Sequence, residues 1–143
     1  MITFLLDVNV LIALVDPVHI DHNRAHDWFS VTASSSWATC PLTENGALRI
    51  LSSARYPSPR SPAAIAASIL QLQKIPGHTF WPDDITLLDS NRVDITRLVT
   101  TAQVTDSYLL ALAVAYNGKF ATFDRRLIST AVHNGTQALH VIN

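Results

Sequence analysis

The sequence predicts a three-layer α/β/α fold around a central parallel sheet, and three observations predict it. Short apolar runs alternate with longer segments of helical periodicity along the whole chain. No repeat or low-complexity tract interrupts that alternation. The first strand candidate, residues 2–6, is apolar almost throughout, as a strand buried on both faces of a parallel sheet must be. Strand–helix alternation of this kind sets helices on both faces of the sheet. The 143 residues, 48% hydrophobic and 15% charged, suit a single domain spanning 1–143 with a substantial core.

Taken in order, the buried strand 2–6 ends at Asp7, and an apolar segment 9–15 reads as a helix that Pro17 stops. A second helix is expected over about 19–31, with Ile20, Ala25, Trp28 and Phe29 as its apolar stripe. Residues 37–40 read as a short strand before Pro41, and 42–52 as a helix whose weak point is Gly46. Tyr56-Pro57-Ser58-Pro59-Arg60 resembles a linker, and Ser61-Pro62 is an N-cap and first-turn pair for a helix to about Lys74. Residues 79–81 and 85–88 are brief extended candidates, and 94–99 suggests one or two helical turns. The clearest helix is 105–117, with Thr105 or Asp106 as its cap and Gly118 as its stop. Residues 120–123 form a strand ending at Asp124, and a helix near 127–132 and a strand 138–142 close the chain.

A net charge of −1 gives no global basic field, so nucleic-acid contact would rest on local cations: Arg125-Arg126 and the scattered Arg49, Arg55 and Arg60. The single cysteine, Cys40, excludes an intrachain disulfide. The apolar N-terminus lacks a basic leader and a cleavage site, and no run approaches the roughly 20 apolar residues of a membrane span. A soluble cytoplasmic protein with no membrane partner is the expectation.

The acids are lopsided: ten aspartates and one glutamate, Glu44. Asp7, Glu44, Asp106 and Asp124 each lie just after a strand or at a helix start. In parallel sheets that is where ligands bind. Each also has a plain structural reading. Glu44 and Asp106 could satisfy a helix N-terminus, and Asp124 could serve a turn. Asp7 is the exception, because a carboxylate inside an apolar run needs a partner or a metal. Together they match the hard oxygen ligands that Mg²⁺ and Mn²⁺ prefer. A metal there could activate water against a phosphodiester. Asn9 could bind a metal water, and Thr105, Ser107 and Thr122 could bond water or phosphate, or serve as caps.

The motifs that carry these acids resemble a known family. Leu6-Asp7-Val8-Asn9-Val10-Leu11-Ile12 is similar to the opening of PIN-domain proteins. Pro41-Leu42-Thr43-Glu44-Asn45-Gly46-Ala47-Leu48-Arg49 and Val104-Thr105-Asp106-Ser107-Tyr108-Leu109-Leu110-Ala111-Leu112-Ala113 resemble the second and third acidic motifs of the VapC toxins of type II toxin–antitoxin pairs. Ala121-Thr122-Phe123-Asp124-Arg125 resembles the fourth, and Asp16-Pro17-Val18-His19 followed by His22 and Ala25 is usual there too. The resemblance runs the length of the chain. It implies a PIN fold, Mg²⁺ or Mn²⁺ dependence, endoribonuclease activity on transfer or ribosomal RNA, a homodimer, and a cognate antitoxin protein. It implies Asp7 and Asp106 as direct metal ligands, with Glu44 and Asp124 completing the pocket directly or through water.

Other features read more plainly. His19, His22 and His26 could share a helical face, but no cysteine or fourth ligand accompanies them, so a solvated face or RNA contact is preferred to zinc. Arg125 and Arg126 could touch phosphate or sit on a solvated turn. Two rival functions remain. One is a phosphatase with Asp7 as nucleophile, weakened because Asn9 stands where a second acid would help. The other is a non-catalytic binding module, which retention of all four acids disfavours.

Overall fold

In a computed structural model describing all residues, Met1–Asn143, five strands alternate with helices as the periodicity requires. The strands are β1 (Phe4–Leu6), β2 (Trp37–Thr39), β3 (His78–Phe80), β4 (Lys119–Thr122) and β5 (Leu139–Val141). The helices are α1 (Val8–Val15), α2 (His22–Trp28), α3 (Pro41–Leu51), α4 (Pro62–Lys74), α5 (Ala102–Ala115) and α6 (Gly135–Ala138). All strand pairs are parallel, in the order β3-β2-β1-β4-β5. The chain steps one way from β1 to β3 and then returns to place β4 on β1's other side. In sheets with such a reversal, ligands bind in the crevice outside the carboxyl ends of the two flanking strands, here β1 and β4.

Burial follows the two-residue period of a strand. Phe4 and Leu6 pack toward α1 and α2 with Val10, Ala25 and Phe29, whereas Leu5 packs toward α5 with Leu109 and Leu112. Trp37 and Ala38 divide in the same way, as do Ala121 and Phe120. A third cluster, of Leu11, Ala47, Leu51, Ile65 and Ile69, joins α1, α3 and α4. Gly46 is where α1 and α3 approach: a Cβ there would lie 2.8 Å from Val8 Cγ2. The apparent weak point of α3 is the condition for its packing.

Several boundaries differ from expectation, each for a local reason. α5 begins a turn before Thr105, because Gln103 Oε1 accepts from the backbone amides of Val99 and Thr100 at 2.9 and 3.1 Å and organises the helix start. Neither Thr105 nor Asp106 is its cap. Its end is a Schellman turn in which Asn117, not Gly118, takes the left-handed conformation (φ 56°), and Gly118 N donates to Ala113 O at 2.8 Å. Gly118 is required instead by crowding, since a Cβ would lie 2.5 Å from Thr3 O.

The helix expected over 19–31 starts at His22, because Asp16 first draws the amide of Val18 into a turn; it continues as a π-helical turn, Phe29–Ala33. No helix forms over 127–132. Backbone groups there serve residues 92–94 instead: Asp94 N donates to Ala131 O at 2.8 Å, and Val93 bridges Val132. Residues 85–88 form no strand, and 94–99 contains one 3₁₀ turn, Ile95–Arg97. Ser61 caps α4 from Pro62, as its sequence predicts. No helix is long and apolar enough to cross a membrane.

Candidate active site

Asp7 leaves β1 at the crevice and begins α1. Val8 N donates to its Oδ1 at 2.7 Å, so it is also the cap of that helix. Thr122, the last residue of β4, donates its hydroxyl to Oδ2 at 2.7 Å. The same Thr122 Oγ1 accepts from Asn9 Nδ2 at 3.2 Å and from Asp124 N at 3.0 Å. One buried hydroxyl thus fixes both strand ends. Asn9 Oδ1 in turn accepts from Phe123 N at 3.3 Å. Asn9 therefore straps α1 to the β4 terminus, a tighter engagement than the metal-water contact its sequence position suggested.

Only 7% of Asp7 is exposed. Burial, with the nearby charges of Asp106 and Asp124, pushes its carboxyl up to about 6, against the lowering effect of its two hydrogen bonds. Asp106, half-buried on α5, is also raised, by burial first and by Asp124 second. The chain's three ion pairs join Arg24 to Asp21, Arg92 to Asp89 and Arg97 to Asp94. None involves Asp7, Glu44, Asp106 or Asp124. Three aspartates from β1, α5 and the β4 terminus thus sense one another's charge with no cation to offset it.

Glu44 stands differently. It lies in the first turn of α3, whose start is fixed by Thr43 Oγ1 accepting from Cys40 N at 3.0 Å. Its Oε2 accepts from Thr39 Oγ1 and from Gln73 Nε2, both at 2.7 Å. Its resolved partners therefore belong to β2 and α4, away from the β4 side of the crevice. As the side chains stand, no three His, Cys, Asp or Glu groups are close enough to hold a single ion jointly. The donor chemistry nonetheless fits a small, hard dication. All four acids offer oxygen, the buried Asp7 lacks a counter-charge, and Mg²⁺ commonly keeps several waters that can bridge to more distant carboxylates.

The remaining sequence candidates fall into two groups. Arg125 and Arg126 follow Asp124, are exposed and form no ion pair, and Arg126 N donates to Asp124 Oδ1 at 2.8 Å. Thr105 is exposed on α5 and makes no side-chain hydrogen bond. Ser107 is fully buried with an unpartnered hydroxyl, which removes it as a phosphate contact. The three histidines do not share a solvated helical face. His19 precedes α2 and accepts from Asp21 N at 3.0 Å. His22 Nδ1 and His26 Nε2 lie 2.7 and 2.9 Å from the carbonyl oxygens of Ala13 and Leu14. These imidazoles satisfy the last carbonyls of α1, a capping role. Sequence reasoning also missed Thr39, Gln73 and His78 around Glu44. They come from β2, α4 and β3, and only Thr39, at a strand end just before Glu44, carried any local signal.

The arrangement disfavours Asp7 as a nucleophile, since both of its oxygens already accept hydrogen bonds. It suits a carboxylate pocket for a cation and an anionic substrate. The PIN domain family matches residues 4–132. The chain belongs to that family. Within it, the chain is 46% identical over 133 residues to ribonuclease VapC44 of Mycobacterium tuberculosis (strain ATCC 25618 / H37Rv), covering 93% of this chain and 94% of the relative. It is 43% identical over 130 residues to ribonuclease VapC39 of the same strain, covering 90% and 94%. These similarities place it in the VapC branch of PIN-domain proteins. Its backbone also superposes, with a TM-score of 0.61 and 9% identity, on a chain in the crystal structure of VapBC2 from Rickettsia felis bound to a DNA fragment from their promoter. The match covers 99% of this chain and 100% of that one. At that identity the match speaks to the fold, and the PIN architecture agrees with the three-layer α/β/α reading.

Proposed function

We propose that this PIN-domain protein is the toxin of a type II toxin–antitoxin pair, a metal-dependent endoribonuclease that hydrolyses phosphodiester bonds at the Asp7 crevice. The observation that carries the reading is the buried Asp7, raised to about 6 beside Asp106 and Asp124 with no cationic partner. A protein tolerates such uncompensated repulsion where a cation or a reacting group will use it. The relatives named ribonucleases support the reaction class. A protein antitoxin as partner follows from the resemblance to the VapC toxins, to which the named relatives also point. Transfer or ribosomal RNA as substrate, the homodimer and the cytoplasmic location belong to the same reading and rest on family resemblance.

Asp7 and Asp106 would hold Mg²⁺ or Mn²⁺, with Asp124 and Glu44 completing the set directly or through water. When bound, such an ion supplies Lewis acidity, which lowers the pKa of a coordinated water and offsets charge on the phosphoryl oxygens. The chain's own residues provide the frame. Thr122 and Val8 N hold the two Asp7 oxygens in fixed directions. Asn9 and Thr122 fix the loop that carries Asp124. Arg125 and Arg126, exposed beside it, would meet the RNA backbone, a contact that positions the chain without reading sequence.

The test is to express wild type and Asp106→Ala in cells and map RNA 5′ ends. Wild type is expected to arrest growth and leave discrete new ends, and Asp106→Ala to do neither. Toxicity and new ends that survive the substitution would reject the catalytic pocket.

A further inference from the structure

Glu44 is held by a cluster of neutral donors gathered from three elements. Thr39 Oγ1 and Gln73 Nε2 both donate to its Oε2 at 2.7 Å, and Gln73 Nε2 also reaches Thr39 Oγ1 at 3.2 Å. Behind them, His78 Nε2 lies 2.7 Å from Thr39 Oγ1. The proton accounting closes in one way. A hydroxyl has a single hydrogen, and Thr39 spends it on the carboxylate, so His78 must present Nε2–H to the same oxygen. Gln73 supplies its two amide hydrogens, one to each neighbour. The His78 ring is fixed from the far side by Trp37, whose ring centroid is 4.6 Å away, and Trp37 is fully buried. Thr39 is also fully buried, so this hydroxyl has no competing water contact from its own exposure.

The consequence falls on the other carboxylate oxygen. With Oε2 taken by two donors, Glu44 cannot turn about its last bond without breaking both. Oε1 accepts no hydrogen bond. We propose that Gln73 and Thr39, backed by His78, are positioning residues that lock Glu44 in one orientation and leave Oε1 as its working oxygen. This deepens the nuclease reading and rests on it. Outer groups that orient a ligating carboxylate typically matter 10- to 100-fold in metal affinity or activity. Gln73 is the informative position, because it is half-buried on the last turn of α4 and far from α3 in sequence.

The experiment uses the full chain in five single variants and one double, with Asp7→Asn as the control for the nuclease site. Gln73→Leu and Thr39→Val remove a donor, Thr39→Ser restores the hydroxyl, and Glu44→Gln is the reference. The double is Gln73→Leu with Glu44→Gln. Two readouts are taken for each: RNA cleavage kcat/KM, and the Mn²⁺ concentration at half-maximal thermal stabilisation without RNA. Gln73→Leu and Thr39→Val are expected to lose roughly 10- to 100-fold in kcat/KM and to raise the Mn²⁺ midpoint, with Thr39→Ser near wild type. In the Glu44→Gln background, Gln73→Leu is expected to change either readout less than about twofold, because its effect runs through the carboxylate. A full Gln73→Leu loss persisting in that background would overturn the proposal, as would wild-type behaviour of both donor deletions beside an impaired Glu44→Gln. Cleavage that survives Asp7→Asn would instead reject the nuclease site itself, and the positioning role with it.

Discussion

Asp7 and Glu44 are held by opposite means. Asp7 is buried among like charges, and its two hydrogen bonds do not cancel the cost of desolvation. Glu44 is half-exposed and takes two neutral donors on a single oxygen. The first arrangement stores unfavourable electrostatic energy, which a cation can relieve. The second sets direction. Under the proposed reading, the β1–β4 side would supply the field and the β2–α4 side the aim.

The largest expected effect breaks the comparison on the Asp7 side. The folded chain holds that carboxyl at about 6, against an ordinary 3.8. Folding therefore favours its protonated form. The stabilisation this gives is complete below about pH 4 and is lost as pH rises through about 6, so the metal-free protein loses stability over that window. Integrated, the difference approaches about 3 kcal/mol. Asp7→Asn cannot ionise and should lack this loss, gaining on wild type as pH rises from 4 to 8 in EDTA. Denaturant unfolding across that range measures it. Parallel pH profiles for the two proteins would show that Asp7 is not under strain.

A somewhat smaller effect is expected from adding a divalent ion at pH 7.5. If the carboxylates bind it, stabilisation follows the ratio of free ion to its dissociation constant and reaches about 2.7 kcal/mol at a hundredfold excess. Thermal melts with Mg²⁺ or Mn²⁺ should rise in wild type and stay flat in Asp7→Asn. Ca²⁺, larger and less demanding in geometry, should be the weaker stabiliser. Equal shifts in wild type and Asp7→Asn would place ion binding elsewhere.

The β1–β4 side was also the more legible half in sequence. An aspartate after five mostly apolar residues cannot be solvated, so a local pattern already marked Asp7. The parallel sheet followed from alternation, and the cap of α4 from Ser61-Pro62. Glu44 could be flagged as the sole glutamate, but its partners could not. Gln73 and His78 are 29 and 34 positions downstream on other elements, and no local pattern says that they converge. The histidine cluster was misread for a related reason. Spacing alone suggested one helical face, whereas the turn that Asp16 imposes starts α2 only at His22 and aims two imidazoles at the end of α1. The start of α5 was hidden in the same way, because the group that organises it is the side chain of Gln103, a residue with no special capping preference.

The smallest effect sharpens the comparison from the Glu44 side. Glu44→Gln keeps the shape but replaces a carboxylate that accepts two hydrogen bonds with an amide that carries one oxygen. If that oxygen takes the Oε2 place, Thr39 and Gln73 keep an acceptor and lose only its charge. Charge-assisted bonds exceed neutral ones by about 1 kcal/mol, so the variant should be about that much less stable than wild type at pH 7. Its stability should still fall between pH 4 and 6 as in wild type, because that slope belongs to Asp7. Urea unfolding at pH 4, 6 and 8 separates the two components. A Glu44→Gln protein that had lost the slope would mean that Glu44 shares the buried charge of Asp7, and the division between field and aim would have to be abandoned.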